Sequence, residues 1–79
     1  MNYELKVQGL AFEAVEKDVE DLFNKYGKIK SVKILRKVDG ASKGISFITF
    51  KEKKGLERSL LLSGTEHMGR IIKITDCRK

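Results

Sequence analysis

The sequence predicts an α+β domain of order strand, helix, strand, strand, helix, strand (βαββαβ): a four-stranded antiparallel sheet with both helices on one face. Three observations predict it. Four short segments carry strand-like patterning, two longer ones carry apolar residues at helical spacing, and an Asp-Gly pair sits between the second and third strands. A chain of 79 residues has room for one hydrophobic core and one function.

Residues 4–8 alternate polar and apolar, which directs Leu5 and Val7 to a core. Between residues 15 and 26, Val15, Val19, Leu22, Phe23 and Tyr26 share one face of an amphipathic helix, and Gly27 supplies its stop. Val15 stands where a capping Ser, Thr or Asp belongs. Only Glu13, Glu16 and Asp18 are left to offset the helix dipole, so that end is expected to fray. Residues 29–36, rich in β-branched side chains, form the second strand, with Val32 and Ile34 inward and Lys33 and Leu35 outward. Val38-Asp39-Gly40-Ala41-Ser42 is a hairpin connection with a mobile tip, and the third strand covers residues 44–51. Residues 52–62 form the second helix, with Leu56, Ser59, Leu60 and Ser63 on one face, Leu61 partly exposed and Ser63-Gly64 as its end. After a loop over residues 64–69, residues 70–75 are the fourth strand, with Ile72 and Ile74 inward and Ile71, Lys73 and Thr75 outward. Right-handed crossovers make this a ferredoxin-like arrangement whose second sheet face is open to solvent or ligand. With no repeat, linker or proline, residues 1–79 are expected to be a single domain belonging to a longer protein.

Seventeen Lys and Arg against eleven Asp and Glu give a net charge of +6, which favours a polyanionic partner, nucleic acid first. A merely soluble basic domain would look the same, so charge alone does not decide function. The single cysteine, Cys77, excludes an internal disulfide and a cysteine metal cluster and fits a reducing compartment. No apolar run approaches the length of a membrane span, and residues 1–6 lack the plan of a signal peptide, so an intracellular, membrane-free chain is expected.

The third strand is the informative one. Ile45, Phe47, Ile48 and Phe50 make it apolar on both faces, whereas a half-exposed strand should alternate. With Ile48 and Phe50 toward the helices, Ile45, Phe47 and Thr49 point out beside Lys43. An outward ring among lysines suits a base lying on the ring while ammonium groups meet its phosphates. The alternative is that a terminal extension or partner covers this face. The chain itself has little with which to do so, since few residues follow the last predicted strand.

Lys43-Gly44-Ile45-Ser46-Phe47-Ile48-Thr49-Phe50 resembles the octapeptide of the RNA recognition motif: basic, Gly, aromatic, small, Phe, aliphatic, any, aromatic. It departs at Ile45, where a stacking aromatic is usual, and slightly at Ser46. Leu5-Lys6-Val7-Gln8-Gly9-Leu10 resembles the family's first-strand hexapeptide, with Lys6 in place of an aromatic and Gly9 where Asn is frequent. The likeness covers essentially the whole chain, including Asp18 to Phe23 with Tyr26-Gly27, and Leu60 to Gly64 with Gly69-Arg70. Within the family, Lys43 to Phe50, Gly64-Thr65-Glu66 and Gly69-Arg70 are similar to the RNA-binding domains of nucleolin. That implies a nuclear or nucleolar ribonucleoprotein setting.

The resemblance implies single-stranded RNA or RNA loops as partner, with no cofactor and no metal, and a monomer working beside neighbouring RNA-binding domains. The binding surface it implies comprises Lys6 and Gln8 on strand one, Lys33 on strand two, Lys43, Ile45, Phe47 and Thr49 on strand three, and Lys73 and Thr75 on strand four. Stacking contributes about 1–3 kcal/mol per base, so lacking two of the family's three usual rings should weaken binding by roughly 2–6 kcal/mol. Affinity from one domain is expected to be modest. Arg36 and Lys37 at the hairpin, and Arg78 and Lys79 at the end, could close over RNA, while Lys51, Lys53, Lys54 and Arg58 belong to a solvated helix face.

Two other function classes find partial support in the sequence. Val7 to Phe12 resembles the phosphate loop of acylphosphatases, but Glu13 stands where their catalytic arginine does, strand three has no asparagine to position a water, and His67 has no nucleophile beside it. No enzyme is expected. Family members that have lost outer-face aromatics bind proteins instead, which makes a protein-interaction module in a ribonucleoprotein complex the runner-up. Glu66 to Arg70 nonetheless lacks the Arg-any-Phe signature of the members that capture tryptophan-bearing peptides.

Overall fold

The period-two patterning of the strands decides which face of the sheet is buried. In the computed structural model, which describes residues 3–77, the elements are β1 (Tyr3–Gln8), α1 (Glu16–Phe23), β2 (Ile29–Arg36), β3 (Ser42–Phe50), α2 (Lys53–Leu60), β4 (Glu66–His67), β5 (Arg70–Ile71) and β6 (Lys73–Asp76). The main sheet runs β2-β3-β1-β6, every neighbouring pair antiparallel, so β3 and β1 are central. Leu5, Val7, Ile34, Ile48, Phe50, Ile72 and Ile74 point to one side, where they pack with Val19 and Phe23 of α1 and Leu56 of α2. This is the expected ferredoxin-like fold with one face of the sheet left uncovered by the helices.

Several local expectations need correction. The first helix ends at Phe23 rather than Tyr26, with the Asn24 N–H donating to the Glu20 carbonyl. Gly27 is therefore not its stop, and its φ is not among the positive ones. It is required because the α1–β2 connection meets the first turn of α2 backbone to backbone: a Cβ on Gly27 would collide with the Gly55 Cα. Gly55 in turn lies against the Phe50 ring, where an added Cβ would come within 2.6 Å of Cδ1. Two glycines thus let a helix settle onto the largest inward side chain of β3.

At the other end of α1, Val15 is the N-cap and is exposed, off the buried stripe. The end expected to fray has a partner for one orphan donor, since the Asp18 carboxylate accepts the Val15 N–H at 3.1 Å. Ser63 lies beyond the end of α2, not on its face, and its Oγ accepts the Ile74 N–H at 3.0 Å, tying the loop to β6. The predicted fourth strand is broken at Ile72. Its first part, β5, pairs with β4 in a separate hairpin, with Glu66 opposite Ile71 and His67 opposite Arg70, and only β6 joins the main sheet. The hairpin turns at Met68 and Gly69, whose φ values of 53° and 81° are both left-handed, as a tight two-residue turn demands.

Removing the Phe50 ring should cost about 3–5 kcal/mol of folding stability. Gly27→Ala, at an allowed φ, should still cost about 1–3 kcal/mol through overpacking. Urea unfolding of both variants checks this, and a Gly27→Ala chain as stable as the parent would rule out the backbone contact.

Candidate nucleic-acid interface

Because β3 is hydrogen-bonded on both sides, two registers order the outer face into rows. Phe47 is opposite Lys33 of β2 and Lys6 of β1, and Lys6 is opposite Thr75 of β6, so one row reads Lys33, Phe47, Lys6, Thr75. On one side of it lie Ile45, Gln8 and Lys73; on the other, Ser31, Thr49 and Glu4. The intervening residues Leu5, Val7, Ser46, Ile48, Phe50 and Ile74 are buried, which fixes these rows on the opposite face. All of Lys6, Gln8, Lys33, Ile45, Phe47, Thr49, Lys73 and Thr75 thus share one surface, and Lys43 stands exposed at the start of β3.

Phe47 is half-buried between its two lysines. With Glu4, Ser31, Lys33 and Thr49 it lines a shallow, open groove of about 280 Å³. That is just below the roughly 300–1,000 Å³ of pockets for drug-sized ligands, and suits one flat ring. The positive charge is local as well as global: a polyanion laid along the Phe47 row meets an ammonium group on each side of the ring.

The residues around the ring are held by backbone geometry. Gly44 takes φ +74°, its N–H donates to Ser42 Oγ at 3.0 Å, and its carbonyl accepts the Leu10 N–H at 3.0 Å, clasping the β1–α1 loop to the start of β3. A Cβ there would press on the Leu10 carbonyl oxygen, which is why the octapeptide has glycine at this position. Ser46 is fully buried beneath the face and its hydroxyl donates to the Lys33 carbonyl at 2.8 Å, so the serine is satisfied and braces the strand that carries Lys33.

The hairpin cations divide. Arg36 is engaged in the fold: its guanidinium pairs with the Glu16 carboxylate at 3.0 Å and donates to the Gly40 carbonyl at 3.4 Å. Lys37 is exposed, and Arg78 and Lys79 lie outside the described residues. Lys51, Lys53, Lys54 and Arg58 are exposed on α2 or its approach. Two features of the surface escaped the sequence. Glu4 and Ser31 line the groove, and parity did signal Glu4, which alternates outward with Lys6 and Gln8. The Arg70 guanidinium sits 5.0 Å from the centroid of the exposed Phe12 ring, a cation–π pair between a loop and β5 that no local spacing encodes.

Residues 5–73 match the model of the family described as RNA recognition motif. The chain is 39% identical over 70 residues to Multiple RNA-binding domain-containing protein 1 of Candida glabrata, a match covering 87% of this chain and 8% of that protein. With the protein of the same name from Saccharomyces cerevisiae it is 40% identical over 65 residues, or 81% of this chain and 7% of the relative. It therefore spans less than a tenth of the length of these curated relatives. Among solved structures it is similar to the Sex-lethal RNA recognition domains 1 and 2 from Drosophila melanogaster (TM-score 0.89, 25% identity, 99% of this chain and 51% of that one). It is similar also to a Sxl-lethal protein/RNA complex (TM-score 0.91, 25% identity, 100% of this chain and 48% of that one).

Cys77 offers a check on the electrostatics where the end of β6 meets the start of β1. Its thiol is pushed above the ordinary range, first by burial, then by the negative charge of Glu4 working against Lys6, with Asp76 adding to the rise. The folded chain therefore holds this proton more tightly than the unfolded chain, and the group's contribution to stability is lost as pH rises through the thiol range. Thiolate absorbance should titrate above that of a short cysteine peptide, and Glu4→Gln should move the midpoint down. A midpoint that ignores the substitution would contradict the placement of Glu4.

Proposed function

The chain belongs to the RNA recognition motif family, and we propose that it binds single-stranded RNA on the outer face of its sheet, as a non-catalytic module. One observation carries this: the Phe47 ring lies in a groove on the open face, opposite Lys33 on one strand and Lys6 on the other. A base on that ring contributes stacking, and its flanking phosphates meet the lysines. Gln8, Lys43, Ile45, Thr49, Lys73 and Thr75 extend the same surface. Lys6 supplies charge or a hydrogen bond, and Ile45 apolar contact, at the two positions where the family's octapeptide and hexapeptide carry rings. Affinity is correspondingly modest.

Modest affinity fits a module that works in series. The curated relatives are named for multiple RNA-binding domains, and this chain matches less than a tenth of their length. We read it as one domain of a longer, multi-domain protein, monomeric and away from membranes, in which linked domains multiply weak affinities through effective concentration. The likeness of Lys43 to Phe50 to nucleolin's domains supports a nuclear or nucleolar setting.

A second reading, as a protein-docking module, is favoured by a groove of about 420 Å³ on the helical side. It lies between Asp18, Asp21, Leu22 and Lys25 of and after α1 and His67 and Met68 of the β4–β5 hairpin. It would add to RNA binding rather than replace it, because it leaves the sheet face free.

Phe47→Ala should lower affinity for a short single-stranded oligonucleotide by about 5- to 150-fold, the equivalent of roughly 1–3 kcal/mol of stacking, while leaving unfolding nearly unchanged. Fluorescence anisotropy at physiological salt measures it. The parent constant should be weaker than nanomolar; a nanomolar parent, or a variant that binds as the parent does, would contradict the proposal.

A further inference from the structure

We propose that the row Ser31, Thr49, Glu4 reads the edge of the base lying on Phe47, and that Glu4 makes guanine the preferred base there. The inference rests on the RNA-binding reading and deepens it. Glu4 is directly opposite Thr49 and diagonal to Phe47, within the reach of a long side chain, and it lines the same groove. Its backbone is fixed on both sides, in register with β3 and with its carbonyl accepting the Cys77 N–H at 2.9 Å. Among the described residues no ion pair occupies its carboxylate. A carboxylate with no ion pair among the described residues, beside a stacking ring, is costly for a polyanion unless it meets donors.

A carboxylate is acceptor-only, with two oxygens that suit two parallel N–H groups. Guanine alone among the four bases presents two adjacent donors, N1–H and the N2 amino group, on its Watson–Crick edge. Cytosine and adenine each offer one amino group, and uracil offers one N–H between two carbonyls that would face the carboxylate in repulsion. On the other side of the ring Lys33 is a pure donor whose three N–H groups can serve guanine O6 and N7 as well as a flanking phosphate. The groove therefore pairs an acceptor and a donor across Phe47 in the sense guanine requires. It also penalises the other bases, which leave Glu4 unpaired next to phosphate.

The test is anisotropy titration of the chain with uridine hexanucleotides carrying guanosine, adenosine, cytidine or inosine at one internal position, against all-uridine. Guanosine should improve affinity over uridine by about 5- to 150-fold, the range for a bidentate base contact. Inosine, which lacks the N2 amino group, should lose most of that gain, and this arm needs no protein variant. Glu4→Gln and Glu4→Ala should reduce the guanosine advantage to less than about threefold, with all-uridine affinity equal or higher because a negative charge is gone. Binding that is indifferent to the base, or a guanosine preference that survives both substitutions, would overturn this inference while leaving RNA binding intact. No binding to any of the oligonucleotides would remove both.

Discussion

The double pairing of β3 is the constraint on which the rest depends. A side-chain period of two means that slipping this strand by one residue would turn Ile48 and Phe50 to solvent and drive Phe47 under the helices. Nothing in the local sequence forbids the slip, since both faces of β3 are apolar. What forbids it is packing: Phe50 fits against a backbone made bare by Gly55 and Gly27, a place with no room for an added carbon, let alone a side chain displaced by one position. Ser46 adds a polar lock, because only in this register does its buried hydroxyl reach the Lys33 carbonyl. The core and the binding face are two consequences of one register.

That coupling explains the character of the outer face. Each lysine beside Phe47 comes from a different neighbouring strand, so the positive charge around the ring is assembled by the sheet rather than by a run of basic residues. Charge of this kind attracts a polyanion from a distance without choosing among sequences. In the proposed reading, selection falls to the short-range groups that line the groove, the ring, the two hydroxyls and the carboxylate of Glu4. With Lys6 and Ile45 at the two positions where the family's motif pattern has rings, the proposed surface leans toward electrostatics and a single stacking platform.

Much of this was legible in the sequence because alternation is. The inward sets on β1 and β2 follow from parity, β2 has the predicted bounds, and β3, apolar on both faces, takes its register from packing. Leu61 is exposed, as the helical spacing around it requires. The residues that misled are those whose role lies in a distant partner. Gly27 looks like a helix stop but serves a contact with Gly55, far along the chain. The β4–β5 hairpin has strands of two residues, too short for any period, and turns through Met68 instead of the Asn or Asp that usually announces such a turn. Arg36 looks free in sequence and is spent on Glu16. Glu4 was visible by parity, but its place in the groove needed the register with Thr49 and Phe47.

The central claim is that a nucleobase lies against the Phe47 ring on the open face of the sheet. Intermolecular nuclear Overhauser contacts, recorded with the chain carrying labelled phenylalanine and an unlabelled single-stranded oligonucleotide, observe this directly. The account predicts cross-peaks from the Phe47 ring protons to base and ribose protons, and none from Phe23 or Phe50. RNA-dependent changes confined to α1, α2 and the β4–β5 hairpin, with the Phe47 ring silent, would contradict it.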